Sequence, residues 1–361
     1  MTRYIIIGSG GVGAALALGL RQAGRDATIV SRGTTLDTIR DRGLRVRHQG
    51  TDHVVEAPVV GSPADLELRV DDVLVLAVKS QDAEAAIRAW AQRPVVLDDA
   101  GTTVPAAEVL PIVTLQNGLD APRVATRHFA QVIGGVALIA ASHLSAGTID
   151  VRNGPKLGQI ILGAYPSAAH DAAVAERVPA IVQDLRAAEW LVQQTDDPRR
   201  WLAWKLSVSV TFPAEVLAGA PAERQELQAL LSAEARTVLE AAGFSLADPA
   251  TEITYDRDLA RVEIAADAPI QGLSTWQSFT RGSGSEVDFL NGEIAVLARQ
   301  LGINAPVNTA VQRELAAAAA AGEQPGVRPI DAVRQRSAAA SSPSPGTSVE
   351  APTHELAEVP A

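Results

Sequence analysis

The chain has 361 residues, of which 47% are hydrophobic and 20% charged, and its formal net charge at pH 7 is −11. This length is typical of about two domains, and the composition is that of a soluble globular enzyme. The negative charge argues against nucleic acid as the main partner, because phosphate binding needs clustered Lys and Arg. The chain contains no cysteine, which excludes disulfides, thiolate metal sites and cysteine nucleophiles.

The sequence also argues against a membrane protein and against a metal-binding protein. We expect no membrane association and a cytoplasmic location, because no run of about 18 apolar residues follows the N-terminal segment. The six histidines show no metal-ligand spacing, so each is expected at the surface and no metal site is predicted.

Residues 1–197 show apolar strands alternating with helical patterns. The predicted strands include residues 4–7, 27–30, 73–77 and 111–115, and the predicted helices include 12–23 and 82–92. Continuous apolar strands are typical of a parallel sheet that is buried on both faces. Beyond about residue 132, polar turns separate the strands, which favours antiparallel pairing there. We therefore predict an α/β Rossmann domain with a doubly wound sheet and a partly antiparallel end.

The pattern changes after Thr195-Asp196-Asp197-Pro198, where we place a domain boundary. Residues 198–321 have Ala/Leu/Glu-rich helical patterning and are predicted to form an all-α substrate and catalytic domain, whose apolar helices could support a homodimer. Residues 322–361 are rich in Ala, Ser, Pro and Glu. Such a segment buries little apolar surface to offset its ordering entropy, so a disordered tail is predicted.

A glycine-rich segment joins the first predicted strand to the first helix. It reads Gly8-Ser9-Gly10-Gly11-Val12-Gly13. In a dinucleotide site the first glycine permits a tight turn, the second lets the backbone approach the pyrophosphate, and the third allows close helix packing. The amides at the helix start then face the phosphates. The alternative is a glycine-rich turn in an unrelated βαβ unit.

The end of the second strand indicates which dinucleotide binds. An NAD site usually has an acidic residue there to accept a hydrogen bond from the ribose 2′-hydroxyl. This chain instead has Ser31-Arg32-Gly33. Arg32 can pair with a 2′-phosphate, so NADP(H) is the predicted cofactor; the alternative is a solvent-exposed arginine at a strand end.

Further segments occur in a characteristic order along the chain. They are Val78-Lys79-Ser80-Gln81, Leu115-Gln116-Asn117-Gly118, the Trp201–Leu206 stretch with Lys205, and Ser274-Thr275-Trp276 followed by Ser285-Glu286-Val287-Asp288-Phe289-Leu290-Asn291-Gly292. With the glycine loop, they resemble the ketopantoate reductase (2-dehydropantoate 2-reductase) family from about residue 3 to about residue 320. The resemblance implies a Rossmann domain that binds NADPH and a helical domain that closes over it, with the substrate between them.

The resemblance also implies roles for individual residues. Lys205 would be the general acid for the ketone oxygen, and Glu286 the carboxylate that orients substrate and lysine beside the cofactor. Ser274 would hold the substrate carboxylate. Lys79 and Asn117 match positions that line the nicotinamide and its ribose, next to the substrate.

The candidate residues are suited to the reduction of a ketone, apart from any family resemblance. Hydride addition to a ketone builds negative charge on oxygen, which a nearby ammonium can neutralise and protonate. Each residue also has a structural alternative. Lys205 could be an ordinary lysine packed beside two tryptophans. Glu286 could belong to a solvated helix start, Asn117 to a simple turn, and Lys79 to a surface pair with Asp82.

The segment after Lys205 departs from the family pattern. Family members commonly have asparagines there that grip the substrate, whereas this chain has Ser209 and Thr211 or Phe212 at those places. Ser209 is therefore a candidate substrate contact with shorter reach. The default prediction is NADPH-dependent reduction of 2-dehydropantoate to pantoate in pantothenate biosynthesis. The alternatives are reduction of a different 2-oxo acid or secondary metabolite, and a noncatalytic NADP(H)-sensing protein.

Overall fold

The structure is a computed structural model that describes residues 2–98, 100–169, 172–262, 272–282 and 284–341. Within these ranges the strands are β1 (Arg3–Ile7), β2 (Asp26–Val30), β3 (Leu44–His48), β4 (Thr51–Val55), β5 (Val59–Val60), β6 (Leu68–Arg69), β7 (Asp72–Leu76), β8 (Pro94–Val96), β9 (Thr103–Pro105), β10 (Pro111–Thr114), β11 (Gln131–Leu138), β12 (Ala141–Ser145), β13 (Thr148–Val151), β14 (Asn153–Pro155), β15 (Gly158–Ala164), β16 (Trp190–Gln194) and β17 (Ala260–Val262).

The helices in the same ranges are α1 (Gly11–Gln22), α2 (Gly33–Arg42), α3 (Ser80–Ala91), α4 (Ala106–Val109), α5 (Asp120–Ala125), α6 (Ala172–Ala187), α7 (Pro198–Ser209), α8 (Pro221–Ala241), α9 (Pro249–Glu252), α10 (Ser274–Arg281), α11 (Asn291–Leu301), α12 (Pro306–Ala320) and α13 (Ile330–Ser341). Short 3₁₀ turns lie at Pro63–Asp65, Phe212–Val216 and Arg257–Leu259.

The described part of the N-terminal region is built on an eight-stranded sheet with the order β16-β15-β11-β10-β7-β1-β2-β5. In its centre β1 pairs in parallel with both β2 and β7, which places Ile5 beside Thr28 and Leu74. β11 and β15 run antiparallel. The predicted Rossmann fold, with its antiparallel end, is confirmed.

Both faces of this sheet are covered by helices, because successive side chains of a strand point to opposite faces. Tyr4 and Ile6 of β1 belong to a core that contains residues of α1 and α6. Ile5 and Ile7 belong to a second core that contains Ile87 and Trp90 of α3. The continuous apolar strands of the sequence are explained by this two-sided burial.

Two smaller sheets lie beside the large one. β12, β13, β3 and β4 form a four-stranded sheet among the described residues, which the sequence pattern did not predict. β14 pairs antiparallel with β17, with Asn153 opposite Val262. This pairing links the Rossmann region to a segment of the helical region.

The helical region begins directly after the large sheet. β16 ends at Gln194 and α7 begins at Pro198, where the Asp197 carboxylate accepts a hydrogen bond from the Arg199 amide at 3.1 Å. α7 packs on β11 and β15. Trp201 is buried in a core shared with Val136 and Ile161 of the sheet, so the two regions are joined by apolar packing.

The structure differs from the tail prediction between residues 322 and 341. The helix α13 packs on α12, and Ile330 and Val333 on it are buried in the helical core. Arg328 pairs with Glu314 and Glu323 just before it. Two apolar residues at helical spacing are enough to dock this segment, although its composition is dominated by Ala and Ser. Residues 342–361 lie outside the described residues. No helix in the described ranges has the length and apolar character to cross a membrane.

Candidate active site

A cleft of about 760 Å³ opens at the carboxyl ends of β1, β7 and β10, between the Rossmann and helical regions. Ligands of open α/β sheets bind at this edge of the sheet. The cleft brings together most of the residues that the sequence singled out, namely Gly8, Ser9, Gly10, Gly11, Val12, Lys79, Asn117, Lys205, Ser274 and Glu286.

The glycine loop has the geometry that a dinucleotide requires. Gly8 has a φ of +114°, and a Cβ there would lie 2.8 Å from the Ala77 carbonyl. A Cβ on Gly13 would lie 1.9 Å from the Gly8 carbonyl oxygen, so the helix approaches the strand too closely for any side chain. On Gly10 a Cβ would meet only His143 Nε2, at 3.7 Å. The backbone at Gly10 is therefore open for a pyrophosphate, and the loop fits the predicted cofactor.

Glu286 is buried and joins the two regions at the cleft. Its Oε2 accepts from Lys79 Nζ at 2.5 Å, and its Oε1 accepts from the Ser80 hydroxyl at 2.9 Å and the Ser80 amide at 3.2 Å. Ser80 begins α3, where the helix N-terminus favours a carboxylate. Lys79 therefore pairs with Glu286 rather than with Asp82, which instead lies 3.5 Å from Arg32.

Lys205 lies in the third turn of α7 and points into the cleft. Its Nζ sits 5.2 Å from the centre of the Phe212 ring, a cation–π contact. Within the described residues no carboxylate pairs with it, and Glu286 contacts Lys79 instead. Burial lowers the pKa of the Lys205 ammonium to about 8, because the charged form loses solvation. An ammonium with such a pKa can release a proton near neutral pH.

Ser274 and Asn117 face Lys205 from other elements. Ser274 is the first residue of α10, and its hydroxyl is buried without a hydrogen-bond partner in the described part of the chain. Asn117 follows β10, and its carbonyl accepts from the Ser80 hydroxyl at 3.2 Å. The positive φ of Gly118, +95°, turns the chain there. An unpaired buried hydroxyl is an available ligand contact.

Three predicted residues do not line the cleft, namely Gly13, Ser209 and Arg32. Gly13 instead packs against the Gly8 carbonyl oxygen. Ser209 is fully buried, because positions 205, 208 and 212 share the cleft-facing side of their segment and Ser209 is turned away from it. Val208 and Phe212 stand in the cleft wall instead. Arg32 follows β2 at the mouth, where its side chain is 71% exposed.

Two family models match this chain. Residues 4–167 match the model described as ketopantoate reductase PanE/ApbA, and residues 206–319 match the model of its C-terminal part. The chain belongs to the ketopantoate reductase PanE/ApbA family. Family membership makes the protein a dinucleotide-binding oxidoreductase with a small-molecule substrate.

Several family and fold relatives are similar to this chain, and the similarity covers nearly the whole length of each relative. The 2-dehydropantoate 2-reductase of Mesorhizobium japonicum is 29% identical over 339 residues, which covers 86% of this chain and 95% of the relative. The PanE/ApbA family ketopantoate reductase of Ralstonia eutropha JMP134 has a TM-score of 0.68 at 22% identity, covering 89% and 99% of the two chains. A D-mandelate dehydrogenase, solved with NADH and anilino(oxo)acetate, has a TM-score of 0.70 at 15% identity over the same shares.

The structure of this family member adds cleft residues that the sequence did not reveal. His143 of β12 lines the cleft beside Gly10, so the expectation that every histidine lies at the surface is wrong for this one. Burial lowers the pKa of His143 to about 4, helped by the positive charges of Arg281 and Lys79. Arg281, at the end of α10, also lines the cleft. No sequence spacing could show this, because β12 meets the glycine loop only in the folded chain. Among the described residues no acidic or histidine cluster could hold a metal ion.

Proposed function

We propose that the protein reduces a 2-oxo acid to a 2-hydroxy acid with NADPH, with 2-dehydropantoate to pantoate as the default reaction. The observation that carries this proposal is Lys205, a cleft-facing ammonium whose pKa burial lowers to about 8. It lies in the same cleft as the glycine loop that fits a dinucleotide. The names of the curated relatives support the same reaction.

The chemistry assigned to Lys205 is general acid catalysis. A dihydronicotinamide bound in the cleft would supply the hydride. Negative charge then develops on the ketone oxygen, and Lys205 Nζ stabilises it and donates a proton to it. No counter-ion in the described residues competes for this ammonium, so its charge is available to the substrate. The apolar Val208 and Phe212 beside it strengthen the interaction by excluding water.

The other cleft residues are assigned positioning and binding roles. Glu286 holds Lys79 and the start of α3 in place, so that Lys79 stands at the wall where the cofactor and substrate meet. Ser274 offers the substrate carboxylate a hydroxyl that has no hydrogen-bond partner in the described ranges. Asn117 lines the same wall. In this assignment Glu286 orients Lys79, whereas burial and the Phe212 ring set the environment of Lys205.

Preference for NADPH is assigned to Arg32. The loop after β2 carries no acidic side chain that would repel a 2′-phosphate. The Arg32 guanidinium is highly exposed and only 3.5 Å from Asp82, so it is free to exchange that weak surface contact for a phosphate. Arg32 would pair with the phosphate in a fork geometry.

A second candidate is reduction of a 2-oxo acid other than 2-dehydropantoate. Phe212 and Val208 line the cleft beside Lys205, and the hydroxyl of Ser209 is turned away. The substrate side chain would thus meet apolar groups where family members commonly present amides. An apolar wall cannot satisfy the hydroxyl of 2-dehydropantoate as an amide can.

A substrate panel tests both candidates. NADPH oxidation would be followed with 2-dehydropantoate and with 2-oxo acids that lack its hydroxyl, for the native protein and Phe212→Asn. Turnover with at least one acid supports the reductase assignment, and the order of kcat/KM identifies the side chain. A gain for 2-dehydropantoate in Phe212→Asn would favour the second candidate. Binding of NADPH without turnover of any acid would overturn the proposal and leave a sensing protein.

A further inference from the structure

The cleft is basic although the chain carries a net charge of −11. The lining contains five cationic and two acidic side chains. The cations are Lys79, Arg152, Lys205, Arg257 and Arg281, and the acids are Asp82 and Glu286. Both acids already have cationic partners, since Glu286 pairs with Lys79 and Asp82 with Arg32. A cleft with excess positive charge concentrates anionic ligands.

Arg152 and Arg257 lie at one end of this cleft. Ala141 touches the glycine loop, where a Cβ on Gly11 would come within 2.7 Å of the Ala141 Cβ. From there the wall continues through Ala140, whose carbonyl accepts from the Arg152 amide at 2.8 Å. The next residue, Asn153, donates to the Ala260 carbonyl at 2.9 Å, which brings the 3₁₀ turn with Arg257 to the same end. Arg152 and Arg257 therefore converge from the two regions.

Neither arginine has an anionic partner in the described ranges. Arg152 Nε is buried there without any hydrogen bond. Of the two acids adjacent to Arg257 in sequence, Asp258 is engaged by Arg261 at 2.5 Å, and Asp256 Oδ1 accepts a hydrogen bond from the Asp258 amide at 2.9 Å. A buried guanidinium donor without an acceptor is costly, and a ligand oxygen would remove that cost.

A polar side chain adds a further donor to the cleft lining. Gln159 is buried, lines the cleft and accepts a hydrogen bond from the Tyr255 hydroxyl at 3.2 Å through its Oε1. The side-chain nitrogen of Gln159 can therefore donate a hydrogen bond to a ligand. The wall consequently offers donors from two guanidinium groups and one amide, which is the complement of a carboxylate.

We propose that Arg152 and Arg257 form a subsite for a second carboxylate on the substrate, so that the enzyme acts on 2-oxo dicarboxylic acids. The inference rests on the proposed function, in which Ser274 and Lys205 hold the first carboxylate and the ketone. In this proposal the substrate side chain extends towards Arg152 and Arg257, which line the same cleft as Lys205 and Ser274. Arginine forks match a carboxylate in two parallel hydrogen bonds.

Matched substrate pairs test this subsite. The probes are 2-oxoadipate against 2-oxohexanoate, and 2-oxoglutarate against 2-oxopentanoate, since each pair differs only by the terminal carboxylate. At saturating NADPH, the native enzyme should have a kcat/KM at least about tenfold higher for one or both dicarboxylates. Arg152→Met and Arg257→Gln should each lower that value about ten- to a hundredfold. Their kcat/KM for the monocarboxylates should change by no more than about twofold.

Arg261→Gln is the matched control. Arg261 is an exposed arginine of β17 that pairs with Asp258 outside the cleft lining, so its loss should leave both substrate classes unaffected. Arg257 is exposed as well, so Arg257→Gln keeps the test decisive if Arg152→Met does not fold.

Each other outcome has a defined meaning. Absence of turnover with every 2-oxo acid, 2-dehydropantoate included, would overturn the proposed function itself. Turnover without a preference for dicarboxylates, or a preference that survives both arginine substitutions, would overturn the subsite and leave the reductase standing. A rise in the KM for NADPH with every substrate would assign these arginines to the cofactor and equally overturn the subsite.

Discussion

Lys79 and Glu286 are 207 positions apart in the sequence, and the fold brings Lys79 Nζ to 2.5 Å from Glu286 Oε2. The two side chains are unequally exposed, at 35% for Lys79 and 6% for Glu286. The lysine follows β7 of the Rossmann sheet, and the glutamate precedes α11 of the helical region. The pair therefore fixes the cleft between the two regions, and its members should respond differently to removal.

Loss of Lys79 should destabilise the fold more than loss of Glu286. Lys79→Met leaves a buried carboxylate without its cation and should lower the free energy of unfolding by about 3 kcal/mol. Glu286→Gln leaves an ammonium that can turn to water, so we expect a loss of about 1 kcal/mol. Urea unfolding of the cofactor-free protein at pH 7 measures both, with the exposed Glu84→Gln as control. Equal losses would contradict this account of the pair.

Removal of the Lys205 ammonium should abolish most catalysis without preventing cofactor binding. Lys205→Ala should lower kcat by at least about a hundredfold, the low end of general acid contributions. NADPH affinity, measured by fluorescence titration, should stay close to the native value. Lys156→Ala is the control, because this lysine pairs with Glu189 away from the cleft. Near-native kcat in Lys205→Ala would remove the lysine from the mechanism.

The pH profile should reflect the lowered pKa of Lys205. The ammonium is the proton donor in reduction, so kcat/KM should be on a plateau below pH 8 and fall as the pH rises through about 8. Oxidation of the 2-hydroxy acid needs the neutral amine and should rise over the same interval. Rate profiles in both directions between pH 6 and about 10 test the sign, since a lysine with its ordinary pKa would shift both curves upward. Parallel profiles in the two directions would exclude Lys205 as the titrating group.

Selectivity between the two dinucleotides should depend on Arg32. Arg32→Ala should weaken NADPH binding about ten- to a hundredfold, because an arginine–phosphate pair is lost. NADH, which has no 2′-phosphate, should bind almost unchanged. Arg42 is an exposed arginine at the end of α2 that pairs with Asp41, so Arg42→Ala should affect neither cofactor. The assignment fails if both cofactors lose affinity equally.

Two glycines of the loop should respond to alanine in opposite ways. Gly10→Ala introduces a methyl group into open space, so the protein should fold with near-native stability and lose affinity for NADPH. Gly13→Ala places a Cβ 1.9 Å from the Gly8 carbonyl oxygen, which forces α1 away from β1 and should destabilise the fold. Thermal unfolding and cofactor titration separate the two effects. A stable Gly13→Ala protein would contradict the close packing of this helix.

The sequence predicted the site residues unevenly, and the reason lies in how each one reaches the cleft. Gly8 directly follows β1, and Lys79 and Asn117 come shortly after β7 and β10, so local pattern places all three at the carboxyl edge of the sheet. Ser209 follows Lys205 in the family pattern, but the rotation of α7 turns it into the core. His143, Arg152 and Arg257 are positioned by the β12 and β14 pairings, which have no local signal.

The sequence by itself determined that a dinucleotide fold is present, because the glycine spacing, the apolar strands and the helical periodicity are local properties of the chain. The tertiary structure alone decided which charges meet. It paired Glu286 with Lys79, left Lys205 without a carboxylate partner among the described residues, and brought Arg152 and Arg257 into the same cleft. These contacts depend on the packing of two regions against each other, and electrostatic environment follows from that packing rather than from spacing along the chain.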